Sequence, residues 1–196
     1  MNVKSLKAAA FILFAALFAT NANAQSIKYP KMHFGIRVGG SFNTASHSTT
    51  KYFDEEIKLN GKTSPTGGFA LDFRIASIPL YLETGAYFVN RTVTVADADV
   101  DINDLTGQVP LLLSYHYYIS DNTAIQPFAG GYMSYGHKFI PGVRFGVGIN
   151  YGRLYANVGY DIDLGEREGN KSRFGDFRFK SPGIFATIGY NFGGSR

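Results

Sequence analysis

The sequence contains no cysteine and no tryptophan, and it has only three methionines. The absence of cysteine excludes disulfides, a lipid-modified cysteine and any metal site built from thiolates. Beyond residue 24 the chain also lacks an apolar run of the roughly 20 residues that a membrane-spanning helix needs. By contrast, glycine occurs 23 times and aromatic residues make up 15% of the chain. This composition favours a strand-rich protein over a helical one.

The first 24 residues have the features of a secretory signal peptide. Lys4 and Lys7 precede an apolar run over residues 8–19, and Ala22-Asn23-Ala24 matches the small-residue cleavage pattern. We therefore predict that residues 1–24 are a cleaved signal peptide and that residues 25–196 form one domain of an exported protein. The whole chain carries a formal charge of +4, to which Lys4 and Lys7 contribute. This small excess gives no argument for a nucleic-acid partner.

Eight segments alternate apolar residues with polar or small ones at every second position, which is the period of a β-strand. The clearest region is 143–163, where two such segments flank a tight break at Gly152-Arg153. The other segments are 33–42, 66–75, 80–88, 105–119, 124–135 and 183–192. In a soluble sandwich a second sheet must cover the apolar face. In a membrane barrel lipid covers it, and the polar face lines a lumen.

The links between the segments favour the membrane barrel. Short turns alternate with longer or more polar links, the short ones being 76–79, 120–123 and 152–153, and the others 43–65, 90–104, 136–141 and 164–182. Outer-membrane barrels sort their links in this way, because short turns lie on the periplasmic side and long loops face outward. Ten residues tilted by roughly 40° also span about 25 Å, the height of the apolar band. We therefore predict an all-β fold, an eight-stranded antiparallel up-and-down transmembrane β-barrel.

Four stretches resemble the PorT-like family of outer-membrane β-barrel proteins. They are HFGIRVGG at 33–40, VPLLL at 109–113, IQPFAGG at 125–131 and IGYNF at 188–192. The likeness covers most of the chain after the leader, and it implies a Gram-negative envelope location. It also implies strands that run through Pro110 and Pro127, although a proline by itself indicates an edge or a bulge. Since some members of the family serve protein secretion and gliding machinery, the resemblance implies an accessory role in secretion as one expectation.

Charged residues of both signs fall on the polar faces of the predicted strands. The interior of an eight-stranded barrel is just wide enough for side chains, so opposite charges there should meet and fill it. We predict a structural charge cluster in the lumen, made of Arg37, Asp72, Arg74, Glu83, Arg144, Asp161 and Asp163. A gated ion path along the same residues is the alternative.

A catalytic interpretation rests on Ser114 and His116, which share one face of the fourth segment, with Glu83 on the neighbouring one. Such a trio can supply a nucleophile, a base and an orienting carboxylate. A lipid A-modifying enzyme would need its site on the lipid-facing side, which here carries Leu113 and Tyr115. We therefore predict no enzyme activity and no catalytic residues.

A metal interpretation rests on the run Asp97, Asp99, Asp101 and Asp104. The calcium-loop pattern fails, because Ile102 stands where glycine is required. We interpret the run as a solvated strand extension above the membrane, with weak divalent binding or lipopolysaccharide bridging as the alternative. The four histidines show no metal-ligand spacing. We expect no metal and no cofactor.

Together these patterns favour a non-catalytic protein of the outer membrane. It would act as an envelope scaffold or interaction protein through the loops 43–65, 90–104 and 164–182. The expected partners are outer-membrane lipid, lipopolysaccharide and envelope proteins. The open alternatives are an accessory subunit of a secretion system, a lipid A-modifying enzyme and a narrow channel.

Overall fold

Eight long strands make up most of the computed structural model, which describes residues 30–44, 48–50, 59–75, 77–95, 100–168 and 177–192. The predicted signal peptide lies outside the described residues and stays a prediction. In chain order the strands are β1 Met32–Asn43, β2 Thr63–Arg74, β3 Leu80–Val95, β4 Val100–Tyr115, β5 Thr123–Tyr135, β6 Phe139–Tyr151, β7 Leu154–Asp163 and β8 Gly183–Asn191.

Every strand pairs antiparallel with its neighbour in the sequence, and the last strand pairs with the first. The closing pair joins β1 to β8, with Gly35 opposite Asn191 at one end and Asn43 opposite Gly183 at the other. The sheet therefore closes into an up-and-down barrel, which confirms the predicted fold class. Closure leaves no unpaired edge along the wall, and hydrocarbon could not satisfy such an edge.

The strand period of two places apolar side chains outside and polar ones inside. On β6, Phe145, Val147 and Ile149 are exposed on the outer face, whereas Arg144 and Asn150 are buried. Exposed aliphatic and aromatic side chains also line the outer face of the other strands, so an apolar belt surrounds the barrel. Lipid is the medium that such a belt requires, because soluble proteins rarely expose large continuous apolar areas.

Strands β3 and β4 extend further toward the extracellular end than the sequence predicts, and β4 ends at Tyr115 and not at Ile119. Each has 16 residues, against 10 in β7. Their ladder continues to Val95 opposite Val100, so most of the predicted loop 90–104 is a strand hairpin. On β3 the alternation in burial is lost there, because Thr92, Val93 and Thr94 are all buried. The polar residues of this part of the strand therefore have the sequence pattern of a loop.

Pro110 and Pro127 both lie inside strands, at gaps in the hydrogen-bonded ladders. Between Thr84 and Tyr87 the β3–β4 ladder is interrupted, and Pro110 occupies the gap while its carbonyl accepts a hydrogen bond from Thr84 Oγ1 at 2.8 Å. Pro127 lies where β4 breaks at His116 before the short strand Tyr117–Ser120. Because proline has no amide hydrogen to donate, these gaps accommodate both residues.

The links differ in structure between the two ends of the barrel. At the periplasmic end, β6 and β7 are joined through Gly152, whose φ of 60° is a conformation that glycine adopts without strain. At the opposite end, Leu59–Gly61 extends the sheet beside β3, and the strands Ser48–Thr50, Arg167–Glu168 and Phe177–Phe179 form a small separate sheet. No helix in the described part of the chain has the length and hydropathy to cross a membrane.

Candidate functional site

The lumen contains six of the seven residues predicted to form a charge cluster. Arg37, Asp72, Glu83, Arg144, Asp161 and Asp163 are all buried on the inner face. Arg74 differs, because it lies at the last position of β2 and is only half-buried. It lines a shallow pocket at the periplasmic rim with Lys31. The rim position follows from where β2 ends, which the alternation alone does not define.

The centre of the lumen is a branched ion pair around Asp161. Arg144 lies opposite Asp161 in the β6–β7 register and binds it through two bonds, from Nε at 2.7 Å and from Nη2 at 2.8 Å. Arg91 on β3 donates a third bond to the same carboxylate, at 2.8 Å. Strands β3 and β7 face each other across the barrel, so this contact joins opposite walls. Arg144 also donates to Gln108 on β4, at 2.6 Å.

A second ion pair closes the lumen nearer its outer end. Asp163 accepts hydrogen bonds from Arg167 Nε at 2.6 Å and from the Tyr132 hydroxyl at 2.6 Å. Arg167, which follows β7, also donates to Asp104 on β4 at 3.0 Å. Because Arg167 has no exposed surface, the segment that carries it lies against the barrel mouth.

Aromatic rings and amides fill the lumen on the periplasmic side of Asp161. The guanidinium of Arg37 lies 4.0 Å from the centre of the Tyr155 ring and donates to Asn191 at 2.7 Å. The Arg144 guanidinium likewise lies 4.3 Å from the Phe185 ring. Arginine is well suited to such contacts, since its planar group stacks on rings while it hydrogen-bonds at its edge.

The space left at the centre of the lumen is small. A cavity of about 10 Å³ lies between Glu83, Arg144 and Asp161, with Phe128 and Phe185 among its other lining residues. That volume holds about one water molecule.

The residues of the catalytic interpretation meet at the periplasmic end of the lumen. Ser114 Oγ lies 3.2 Å from His116 Nε2, and the Tyr81 ring stacks on the imidazole at 3.8 Å. On the other side of His116, Nδ1 faces the Gln126 amide at 3.4 Å. Among the described residues, no carboxylate contacts His116, so the orienting acid of a triad is missing. Both Ser114 and His116 are buried in the lumen, away from the lipid-facing side.

Two aspartates of the calcium interpretation, Asp101 and Asp104, are held by cations. Lys62 Nζ lies 2.8 Å from both carboxylate oxygens of Asp101, and Thr94 donates to the same group at 2.7 Å. These two donors lower the pKa of Asp101 below its ordinary value. Asp97 and Asp99 lie outside the described residues. Within the described part of the chain, no group of three or more acidic or histidine side chains is arranged to hold a metal ion.

Three charged residues of the lumen were missed by the sequence interpretation, namely Arg91, Asp104 and Arg167. All three fall in segments assigned to loops, and all three are buried. Arg91 had a detectable signal, because it continues the inward alternation of Tyr87 and Val89. Arg167 had no such sequence signal, because its contact with Asp163 depends on how the link after β7 crosses the barrel mouth.

Comparison with solved structures supports this architecture. The outer-membrane protein OprG from Pseudomonas aeruginosa superimposes with a TM-score of 0.59 at 13% identity, covering 86% of this chain and 99% of OprG. The outer-membrane protein AlkL, solved in lipid bilayers, gives 0.54 at 12% identity, covering 90% of this chain and 97% of AlkL. No family model matches the sequence. No curated protein matches it either.

The closed barrel and its apolar outer belt define the class of protein. The chain is an eight-stranded β-barrel of the outer membrane, and OprG and AlkL are proteins whose fold it shares. At such low identity the likeness concerns the fold alone, and function must be argued from this chain's own residues.

Proposed function

We propose that this barrel is a non-catalytic and non-conducting envelope protein that acts through its extracellular end, as a scaffold or interaction protein. The observation that carries the proposal is the closure of the lumen by the ion pairs of Asp161 and Asp163. A lumen filled from wall to wall has no room for transported solute. The surfaces that remain for function are the two ends of the barrel and the lipid-facing belt.

The extracellular end has the ordered polar surface that a binding role requires. The β2–β3 ladder ends at the extracellular side with Thr66 opposite Val89. Beyond that point the β3–β4 ladder continues as far as Val95. The strand Leu59–Gly61 pairs with β3 in this hairpin. Lys62, which follows that strand, forms an ion pair with Asp101 on β4. Loops tied to the wall in this way lose less conformational freedom when a partner binds.

Envelope proteins and lipopolysaccharide are the partners that this surface suits. The exposed groups include carboxylates, amides and Lys62, which can bind protein loops or sugar hydroxyls by hydrogen bonds. The decisive experiment is crosslinking and co-purification from intact outer membranes, with an affinity tag inserted between Val95 and Val100. Specific enrichment of an envelope component is expected. Its loss on replacing the hairpin tip beyond Thr92 and Asn103 by a tight turn, which keeps Arg91 and Asp104, would locate the contact.

A planar bilayer recording tests the closed lumen separately. The wild-type barrel is expected to give no resolved conductance steps at neutral pH. Stable single-channel openings in pure protein would refute the closed lumen while leaving a role for the extracellular end untouched.

An accessory role in a secretion system is the more specific form of this proposal. The four stretches that resemble the PorT-like family support it, and they form strand positions in β1, β4, β5 and β8. Deletion of the gene is expected to reduce the export of secreted proteins under this hypothesis. Normal secretion in the deletion strain would remove the accessory role and leave the general scaffold role in place.

A lipid A-modifying activity at Ser114 and His116 is disfavoured by their burial and by the missing carboxylate. The lipid A profiles of Ser114→Ala and wild-type cells are expected to be identical. A changed profile at equal protein level would revive the enzyme hypothesis.

A further inference from the structure

Two cationic residues, Lys31 and Arg74, lie opposite each other at the periplasmic rim, where β1 begins and β2 ends. The Arg74 amide donates a hydrogen bond of 2.9 Å to the Lys31 carbonyl, which extends the β1–β2 ladder one step beyond Met32 opposite Phe73. Lys31 and Arg74 are therefore directly opposite residues with the same charge. Like charges at such positions destabilise a sheet.

No acid among the described residues forms an ion pair with either cation. The nearest acid in the ladder is Asp72, which stands opposite His33 and lies 3.8 Å from its ring. Asp72 is buried in the lumen, whereas Lys31 is exposed to solvent. The repulsion between Lys31 and Arg74 would be relieved by an anion bound between them.

The space around these cations is a shallow depression that opens to solvent. It is lined by Lys31, Arg74, Ile75 and Ser77. A ligand group there can reach both cations from outside the barrel. The Ser77 hydroxyl adds a neutral hydrogen-bond donor to the two positive groups.

The apolar residues beside the pocket indicate that its ligand carries hydrocarbon chains. Phe73, Ile75 and Ile78 are exposed to 38%, 51% and 47% along the outer face at this rim. They lie at the level where the inner leaflet of the membrane ends, because the short turns of the barrel are periplasmic. Lys31 and Arg74 have the inward parity of His33 and Asp72. A phospholipid placed here therefore sets its acyl chains against the outer face, and its phosphate reaches the two cations over the strand ends.

We propose that Lys31, Arg74 and Ser77 form a binding site for the phosphate of an anionic phospholipid in the periplasmic leaflet. Arginine and lysine bind phosphate through charge-assisted hydrogen bonds. The bound lipid cancels the repulsion across the β1–β2 ladder and holds the rim at the membrane surface.

Native mass spectrometry of the full barrel tests this site, using phosphatidylglycerol titrated into detergent micelles and zwitterionic phosphatidylcholine as the comparison lipid. The wild type is expected to retain phosphatidylglycerol preferentially. Lys31→Gln and Arg74→Gln should each weaken binding about tenfold, and the double variant more than either. Arg153→Gln is the matched control, because Arg153 is an exposed periplasmic cation in the β6–β7 turn, outside the pocket.

Three results would overturn the proposal. The first is equal phosphatidylglycerol binding by the wild type and a double variant that still shows the folded gel mobility. The second is equal retention of phosphatidylcholine, which would make charge irrelevant. The third is complete displacement of the lipid by millimolar inorganic phosphate, which would identify a site for soluble anions. None of these results bears on the closed lumen or on the extracellular end.

Discussion

Removing the charge of Asp161 should destabilise the barrel more than removing Arg144, although the two residues form one pair. Asp161 accepts hydrogen bonds from both Arg144 and Arg91. Asp161→Asn therefore leaves two buried guanidinium groups without a carboxylate. Arg144→Met leaves Asp161 still paired with Arg91 and puts a flexible apolar side chain beside Phe185.

The size of the expected loss in unfolding free energy follows from the burial of the Asp161–Arg144 pair. Asp161 is 1% exposed and Arg144 is 6% exposed, so solvent screens their interaction little. Breaking a buried pair by removing one partner costs about 3 to 5 kcal/mol. We expect a loss of about 3 kcal/mol in the free energy of unfolding for Arg144→Met and of about 5 kcal/mol for Asp161→Asn.

The assay is reversible urea unfolding in lipid vesicles. The chain has no tryptophan, so the folded fraction is followed by circular dichroism and by the shift in gel mobility between folded and heated samples. Arg153→Gln, an exposed charge removal, should leave the transition unchanged. A smaller loss for Asp161→Asn than for Arg144→Met would refute the branched pair, and so would losses below about 1 kcal/mol for both, the size typical of exposed pairs.

Three further predictions concern single contacts. Arg167→Gln should raise amide hydrogen exchange at residues 164–168 by at least about tenfold, because Arg167 holds that segment to Asp163 and Asp104. The β6–β7 ladder should keep its protection. Equal exchange in the variant and the wild type would contradict this prediction. Gly142→Ala should cost about 1 to 3 kcal/mol in urea unfolding, since its Cβ would overlap the Tyr132 ring. Gly131→Ala is its control, because the nearest atom to that Cβ lies at 3.7 Å, and equal effects would contradict the clash. The pKa of the Asp101 carboxyl is lowered below 3.8 by Lys62 and Thr94, so the contribution of this contact to stability is present above pH 3.8 and is lost as the pH falls through the lowered folded-state pKa. A carboxyl titration by NMR should show this midpoint below 3.8 and show it rise in Lys62→Gln; an unchanged midpoint in the variant would refute the assignment.

The strands of the barrel wall could be predicted from the sequence because each strand shows its two faces in its own residues. A strand between lipid and a polar lumen must alternate at every second residue, and segments such as 143–163 display that alternation without interruption. The parity of Arg144 and Asp161 then placed both side chains inside. Which charges meet was not predicted, because the contact of Arg144 with Asp161 depends on the register of β6 against β7.

The ends of the lumen could not be predicted in the same way. Arg91 keeps the inward parity of Tyr87 and Val89. It and Asp104 nevertheless lie beyond the apolar band, where the outer face is polar and alternation no longer distinguishes the two faces. Arg74 has inward parity, yet β2 ends at this residue and its side chain reaches the periplasmic rim. Whether a charge near a strand end closes the lumen depends on strand tilt and on which link crosses the mouth, and both are set by contacts distant in sequence.

The lumen also explains why the functional surfaces of this barrel should lie at its ends. Arg91, Arg144 and Arg167 each contact residues on more than one part of the wall, so the ion pairs close the lumen at more than one point. A variant with an open lumen would therefore have to replace several of these residues together. The rim cations and the tip of the extracellular hairpin beyond Thr92 and Asn103 lie outside this network, and substitutions there change binding at little cost to the fold.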